Sequence, residues 1–476
     1  MMNTIYSHAF LVGNLNSKVI QKDLSQNSKW KNLLSHWKKE GDKPTDSPKV
    51  QKWDKECISA NGGKYNGDEG YNGLCTVFYK AHVDAMVKGE GQGKLPKFLK
   101  DVCHYTYDVN KSVSIYWIRD GKDKDNKPIQ TLSGLDKYKL VVQRLHLYFF
   151  PLGIKFFAIE IDDTGSDLND LTMGHYLLST WKWEGNERFT DDTKKDLELA
   201  LKPLKEFISN KDLGCLLENG NKMKIFQTIE IDSFMNKDST LFEIGTSSAI
   251  GSVGGTRWFT PSDDYYNKII KENTVSAFKS WKGLALMDSF TILGVEGGIN
   301  KEAFNYMYFP LIYLRCLFEK SFCTTRNNAY REDRGKGNLS QEISQMEKYY
   351  FYENISYNFL PNLLYKNMAK GLDIKDERDN LTQQIKEKAT RNHTLFLGMI
   401  SVFAIFSVTF DLYSLIKAWA EDITIFPSEE HCFDVYPALI HRSVDRGQLP
   451  LLALILFFIA LISSYFCIRY LKSRKI

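Results

Sequence analysis

An aspartate inside an apolar run near the C-terminus has the clearest chemical implication in this sequence. Residues 394–416 read TLFLGMISVFAIFSVTFDLYSLI, and Asp411 is the one charged residue among them. A carboxylate at the centre of a membrane helix costs roughly 2.5–3.5 kcal/mol on insertion scales, so its side chain should face protein or water. In such a place, a carboxylate attracts cations.

One face of this run could line a pore. At about 100° per residue, a single helical face carries the following side chains: Leu397, Ile400, Ala404, Ser407, Asp411 and Ser414. If several copies surround an axis, the aspartates form an acidic ring, and the apolar residues at the start of the face form a constriction that closes by dewetting. Alternatively, Asp411 lies near the external membrane surface and reaches the headgroups.

The C-terminus predicts a second membrane-spanning helix. Residues 450–468 read PLLALILFFIALISSYFCI without a charge, and the basic tail RYLKSRKI follows. About 20 apolar residues suffice to span a bilayer. Basic residues precede the first predicted span and follow the second, whereas the connector between them is acidic, so both termini should face the cytoplasm. We read no signal peptide at the N-terminus.

A glycine-rich segment offers the best nucleotide site. Residues 245–259 read GTSSAIGSVGGTRWF. Glycines let a ligand approach the backbone closely, arginine pairs with phosphate, and tryptophan stacks on a base. The candidate residues are Gly251, Gly254, Gly255, Thr256, Arg257 and Trp258. The segment matches neither the P-loop nor the dinucleotide-binding pattern, and a flexible Gly/Ser loop is the alternative interpretation.

Two further segments carry side chains of the same kind. Arg144 and His146 alternate on a predicted strand, so they should point to the same side of the sheet. An ordinary half-buried strand is the alternative. Residues 180–189, TWKWEGNERF, combine two tryptophans with an arginine and could stack a base.

Catalysis and metal binding have little support in the sequence. No His-Glu-x-x-His or Gly-x-Ser-x-Gly pattern occurs, and none of the 8 cysteines forms a Cys-x-x-Cys pair. A net charge of +4 does not by itself predict nucleic-acid binding. We therefore expect no catalytic residues, no metal site, no cofactor and no direct nucleic-acid partner, and we predict that the chain is not an enzyme.

The order of patterns predicts a domain organisation. We expect a polar N-terminal part over 1–135, an α/β sensor domain over 136–335, a helical stalk over 336–393, a first span over 394–418, an acidic external loop over 419–449, a second span over 450–470 and a basic tail over 471–476. Strands interspersed with helices indicate the α/β class.

Individual elements follow from periodicity and turn residues. Two strands flank the Pro-Leu-Gly turn in KLVVQRLHLYFF–PLG–IKFFAIEID, and further strands are expected at 224–234, 240–246 and 283–293. Helices are expected around 71–88, 168–180, 191–210, 263–279 and 304–322. Residues 373–418 contain no proline and read as one helix of about 69 Å that continues from the stalk into the first span.

This arrangement resembles the CorA family of pentameric cation channels. The large α/β domain, the long helix entering the first span, the hairpin of spans and the basic tail are similar, and RLHLYFFPLGIKFFAIEID (144–162) looks like that family's paired-strand segment. The resemblance covers about 138–476. It implies a CorA-like fold, a homo-oligomer of five copies and a location in the bacterial inner membrane.

One departure from the family narrows the expected function. The family's Gly-Met-Asn motif ends its first span, whereas this sequence reads LIKAWAED at 415–422. Members that lack the motif are known as membrane effectors of type III CRISPR antiviral systems. The resemblance to these implies a channel, or a protein that disrupts the membrane, opened by a nucleotide second messenger, S-adenosylmethionine–AMP.

Two other functions remain open at the level of sequence. One is a divergent divalent-cation transporter of the same architecture, against which the missing motif argues. The other is a membrane-tethered sensor or enzyme whose spans act only as a tether. The implied partners are membrane lipid, further copies of the chain and a small nucleotide.

Overall fold

The computed structural model describes residues 4–15, 31–32, 68–86, 97–99, 102–118, 135–179, 189–207, 223–232, 237–254, 260–331 and 339–422. The chain divides into two units, residues 1–380 and residues 381–476. The first unit is an α/β domain, as the sequence predicts.

The centre of the first unit is a mixed sheet. Its strands within the described residues are β1 (Thr4–Asn14), β2 (Lys31–Asn32), β3 (Cys103–Ile118), β4 (Leu135–Phe149), β5 (Lys155–Asp162), β6 (Lys224–Ile231), β7 (Thr274–Val275), β8 (Trp281–Ala285) and β9 (Ser289–Val295). Their order is β2-β3-β4-β5-β1-β6-β9-β8-β7. Strands β6 and β9 pair in parallel, and the other described neighbours pair antiparallel.

The described residues contain ten α-helices. They are α1 (Asp68–Val77), α2 (Lys80–Met86), α3 (Leu168–Ser179), α4 (Asp191–Phe207), α5 (Lys237–Gly245), α6 (Asp263–Asn273), α7 (Leu314–Arg331), α8 (Leu339–Tyr349), α9 (Phe359–Gly371) and α10 (Ile374–Asp422). A π-helical segment, Ala303–Tyr313, runs directly into α7. Helices α3, α4 and α5 share an apolar core with one face of the sheet. The π-helical segment packs on the other face, where Phe309 stacks on Phe10 with ring centroids 3.8 Å apart.

The hairpin around the Pro-Leu-Gly turn is confirmed. Strands β4 and β5 pair antiparallel on either side of a single turn of 3₁₀-helix, Pro151–Gly153. Leu152 and Gly153 both have positive φ, at 62° and 76°. Glycine adopts this backbone freely, whereas leucine does so at a cost, so the surrounding hairpin must hold it there.

Two of the predicted strands differ from the structure. Residues 240–245 belong to helix α5, and Thr246 follows its end; Leu241 and Ile244 lie one turn apart and both enter the core. Residues 283–293 were expected as a single strand, but they fold as the β8–β9 hairpin, with its turn at 286–288. The predicted helix at 263–279 is shorter, because β7 begins at Thr274.

The N-terminal part contributes to the same sheet. Strand β1 lies between β5 and β6, and β3 pairs with β4. The boundary placed after residue 135 therefore falls inside a sheet whose strands come from both sides of it. The burial of Phe10 and Leu11 is consistent with this central position of β1.

The expectation that residues 373–418 form one continuous helix is confirmed: α10 runs over 49 residues, Ile374–Asp422. At 1.5 Å per residue it is about 73 Å long. Among the described residues, one segment is long and apolar enough to cross a membrane: His393–Leu412, with a mean hydropathy of 2.1 and none of it buried. The predicted second span, 450–470, and 423–449 of the predicted loop lie outside the described residues.

The end of α9 provides a test of this packing. A Cβ added to Gly371 would lie 2.7 Å from the backbone of Ala285 in β8. We expect Gly371→Ala to lower the free energy of unfolding by about 1–3 kcal/mol, because the helix must move off the strand. Thermal or chemical denaturation in detergent measures it. Gly398→Ala is the control, since nothing lies within 4 Å of its added Cβ. Equal loss in both variants would contradict the close contact.

Candidate functional site

Antiparallel register places charged side chains on one face of the sheet. Arg144 of β4 lies directly opposite Glu160 of β5, and Glu160 lies opposite Phe10 of β1. Directly opposite residues point to the same face. Because Phe10 packs on the π-helical segment, Arg144 and Glu160 lie beneath that segment.

Arg144 and Glu160 form a buried ion pair with two hydrogen bonds. Arg144 Nε donates to Glu160 Oε2 at 2.6 Å, and its Nη2 donates to Oε1 at 2.8 Å. The Glu160 side chain has no exposed surface. Tyr306 of the π-helical segment accepts from Arg144 Nη2 at 3.1 Å and donates to Glu160 Oε1 at 3.4 Å. The pair therefore joins two strands to the helix above them.

Histidines surround the same carboxylate. His146 Nε2 lies 2.9 Å from Glu160 Oε2, and His8 Nε2 lies 3.2 Å from Oε1. His104 Nε2 lies 3.0 Å from His146 Nδ1. We call Arg144, Glu160, Tyr306 and these three histidines the Glu160 network.

The direction of these hydrogen bonds follows from the chemistry of imidazole. A carboxylate only accepts, so His146 Nε2 carries a proton, and a neutral His146 then accepts at Nδ1 from His104 Nε2. Burial lowers the pKa of both His104 and His146, and this favours the neutral forms. The pKa of Glu160 is well below its usual range: burial would raise it, but Arg144 and then the histidines outweigh burial.

A second polar cluster lies on the opposite face, beneath α3. His175 Nε2 lies 2.9 Å from Asp163 Oδ2, its Nδ1 lies 2.7 Å from Gln227 Oε1, and Tyr138 donates to the same aspartate. Burial would raise the pKa of Asp163, but His175 and the hydrogen bond from Tyr138 outweigh burial and lower it overall. This cluster fixes α3 to the sheet.

A third buried cluster holds α7. Arg315 Nε donates to Glu319 Oε1 at 2.6 Å, and its Nη2 donates to the Tyr350 and Tyr352 carbonyls. Its guanidinium lies between the rings of Tyr352 and Tyr365, 4.3 and 4.5 Å from their centroids. Stacked arginines of this kind fix both position and rotation.

The two predicted ligand residues on β4 therefore belong to the Glu160 network. Arg144 and His146 do point the same way, as expected, but both are buried rather than half-buried, and each binds Glu160. Sequence analysis missed Glu160, Tyr306, His8 and His104. The sequence did contain a signal for Glu160. A hairpin centred on Leu152 places residues at equal distance from Leu152 opposite each other, and this pairs Arg144 with Glu160.

The glycine-rich segment begins at the end of α5, not after a strand. Gly251 and Gly254 are exposed, have φ of 82° and 76°, and have open space where a Cβ would be. Glu243 holds the loop, since its Oε1 accepts from the Val253 N–H at 2.8 Å. Gly255, Thr256, Arg257 and Trp258 lie outside the described residues, as do 180–188 of the third segment.

The candidate pore residues all lie on α10. Leu397, Ile400, Ala404, Ser407, Asp411 and Ser414 are exposed on that helix. Asp411 is the second-last residue of the apolar segment His393–Leu412, and Ser414 lies two residues beyond the end of that segment. The Ser414 hydroxyl donates to the carbonyl of Phe410 at 3.0 Å, so its hydrogen-bond donor has a partner within its own helix.

Comparisons with known proteins give no match: no family model, no curated protein and no solved structure is similar to this chain. Among the described residues, no three His, Cys, Asp or Glu side chains are arranged to hold a metal ion.

Removal of Arg144 tests the buried pair. We expect Arg144→Met to lower the free energy of unfolding by about 3–5 kcal/mol, because it leaves a carboxylate buried without its cation. Chemical denaturation in detergent measures it. Lys111→Met is the matched control: Lys111 pairs with Asp196 at 3.3 Å, both partly exposed, and such a pair contributes at most about 1 kcal/mol. A similar cost in both variants would contradict the buried pair.

Acid should destabilise the folded protein. In the folded state the pKa values of His104 and His146 lie below their ordinary value of 6.5. Below pH 6.5, the unfolded chain therefore binds protons that the folded protein does not, and the free energy of unfolding falls as the pH falls. His104→Gln should flatten this slope by up to about 1.4 kcal/mol per pH unit. Denaturation between about pH 5 and 7.5 measures it.

His393→Gln is the control for this pH dependence, since His393 is exposed on α10. If the two variants show the same slope, the histidines of the Glu160 network do not stay neutral in the folded protein.

Proposed function

We propose that this chain is a homo-oligomeric membrane effector that lets ions cross, or disrupts, the inner membrane when its α/β domain binds a nucleotide. In this proposal α10 lines the pore, residues 450–470 form the second span, and both termini face the cytoplasm. The observation that carries the proposal is the continuity of α10. A single helix leaves the α/β unit and contains the exposed apolar segment His393–Leu412.

The exposed apolar surface of α10 supports a membrane location. Phe403 is 74% exposed and Phe410 is 63% exposed, and other large apolar side chains of the segment are exposed as well. Apolar surface in water costs about 25 cal/mol per Å². Lipid and further copies of α10 can cover it. A helix of a soluble core with the same composition would instead be buried.

The polar side chains of α10 support pore lining by one face. Asp411 and Ser407 are exposed, and Asp411 is costly against lipid. A ring of these carboxylates around an axis would favour cations. Five copies, as in the resemblance to CorA proteins, are part of the proposal.

The loop that follows α5 is the proposed nucleotide site. At Gly251 and Gly254 the backbone is exposed and unobstructed, which lets phosphates approach its N–H groups. Arg144 and His146 are less suited to this role, since a ligand would have to displace Glu160 from both. S-adenosylmethionine–AMP is the ligand that the resemblance to CRISPR-associated effectors implies, and an antiviral role comes with it.

A membrane-tethered sensor is the second candidate. The position of Asp411, one residue before the end of the apolar segment, favours it. An aspartate there can reach the headgroups without lining a pore.

Neutralising Asp411 separates the two functions. We expect Asp411→Asn to reach the membrane normally but to lower the preference for cations over anions several-fold, because the acidic ring is lost. Ion flux and reversal potentials of the full-length protein in liposomes measure this preference. Asp379→Asn is the control, an exposed aspartate on the same helix outside the apolar segment. Unchanged selectivity in Asp411→Asn would contradict pore lining and favour the tether.

A further inference from the structure

We propose that an exposed surface on and beside α9 binds α10 of a second copy of this chain. This inference rests on the proposed function, because that function requires several copies around α10. It goes further by naming a surface through which neighbouring copies meet. Helix α9 belongs to the unit formed by residues 1–380, and the contact is between two chains.

Four apolar side chains lie together at the start of α9, and we call them the Phe359 patch. Phe359 is the first residue of α9, and Leu363 lies one turn later on the same face. The ring centroid of Phe278, in the connection between β7 and β8, lies 6.2 Å from that of Phe359. Tyr357, the fourth member, comes two residues before Phe359. Two separate parts of the chain thus bring apolar groups to one place.

All four members of the Phe359 patch are exposed to solvent. Tyr357 is 65% exposed and Phe359 is 64% exposed, which makes them the two most exposed large apolar side chains in the described part of 1–380. Single apolar side chains are common at protein surfaces, whereas an exposed cluster marks a binding surface. The patch therefore indicates a partner that covers it.

The Phe359 patch is preformed, because the structure around it is held in place. The Tyr357 N–H donates to the Val77 carbonyl at 3.1 Å. Asn362 Oδ1 accepts from two backbone N–H groups of the preceding loop, at 2.8 and 3.1 Å. The Phe278 ring packs on the buried Trp281, with centroids 5.6 Å apart. A preformed surface loses little conformational entropy when a partner binds.

The exposed face of α9 changes from apolar to basic along its length. Phe359, Leu363, Lys366 and Lys370 are all exposed and follow the spacing of one helical face. Lys370 also pairs with Glu272 of its own copy, 3.3 Å away. This face therefore suits a partner that is acidic opposite the lysines.

A protein fits this surface better than a layer of lipid headgroups. The lysines of α9 would be attracted to anionic lipid, but Glu353 is exposed four residues before Tyr357 and would be repelled by it. A protein partner can present a complementary charge to each of these groups. The charges around the patch thus favour a protein.

The first turns of α10 carry a face of complementary charge. The exposed side chains along this face follow the same helical spacing as those of α9, and they are Asp376, Asn380, Gln383 and Glu387. The exposed Lys375 and Lys386 lie about 80–100° to one side of it. Each of the two faces extends over about 16 Å. The lysines of one copy can therefore pair with carboxylates of another, and such complementarity fixes the orientation of a contact.

The short connection between α9 and α10 makes a second copy the partner. Only Leu372 and Asp373 separate the two helices. If several copies gather around α10, the α9 of each copy comes near the α10 of a neighbour. Because the faces on α9 and α10 differ, the contact is head-to-tail, and contacts of that kind can close into a ring. A ring is the arrangement that pore lining requires.

Leu363→p-benzoylphenylalanine tests this contact in the full-length protein in liposomes. On illumination the probe should join two chains, and mass spectrometry should find it attached to a peptide from 374–390 of the second chain. The matched control is the same probe in place of Leu199, which is 50% exposed on α4. The control should join no chains.

Two further substitutions test the basic and the apolar half of the surface. Lys366→Glu and Phe359→Ser should each lower the yield of joined chains about tenfold, because the first places like charges together and the second removes an apolar anchor. Lys195→Glu, at an exposed lysine of α4, should leave the yield unchanged. The midpoint of thermal unfolding should stay the same in all three variants, since the three side chains are exposed.

Four outcomes of the illumination experiment would overturn the inference. They are attachment of the probe to lipid, attachment to its own chain, attachment to a part of the second chain outside α10, and no attachment. Each would show that α9 does not bind α10 of a second copy.

Ion flux in the same liposomes separates this inference from the proposed function. Attachment of residue 363 to α10 of a second chain, in protein that conducts no ions under any condition, supports the contact and counts against the effector. Conducting protein in which residue 363 joins no chains overturns the contact and leaves the effector standing.

Discussion

The Glu160 carboxylate is the constraint on which the arrangement of this domain depends. A charge without solvent exposure is tolerated only when it is paired and hydrogen-bonded on every side. Arg144 supplies the cation, two histidines contact the carboxylate oxygens, and Tyr306 closes the cluster from above. Because these partners come from β4, β1 and the π-helical segment, satisfying one carboxylate of β5 fixes the register of three strands and the rotation of the helical segment over them.

Buried charged and polar side chains on α7 must likewise be hydrogen-bonded. Arg315 has no exposed surface either, and it satisfies its donors on Glu319 and on two backbone carbonyls. Further along the helix, Asn327 binds Glu377. The helices on this side of the sheet are thus held by polar contacts that each allow one geometry, whereas α3, α4 and α5 share a largely apolar core with the opposite face.

Local patterns predicted much of this fold, whereas long-range contacts did not follow from them. The Pro-Leu-Gly hairpin, helices α3 and α4 and the continuous α10 were predictable because turn residues and periodicity act within a few residues. Helix α5 was read as a strand because aromatic and β-branched residues outweighed its one-turn spacing. The role of Arg144 was missed because its partner lies on the next strand and Tyr306 lies 162 residues away.

Ion flux through sealed liposomes that contain the full-length wild-type protein is the most direct test of the proposed function. We expect little flux without ligand and a large, concentration-dependent rise when S-adenosylmethionine–AMP is added, with mass spectrometry showing that the nucleotide is bound to the protein. Liposomes that hold correctly inserted protein and stay sealed at every ligand concentration, with no nucleotide bound, would contradict the proposal that this chain is a nucleotide-gated membrane effector.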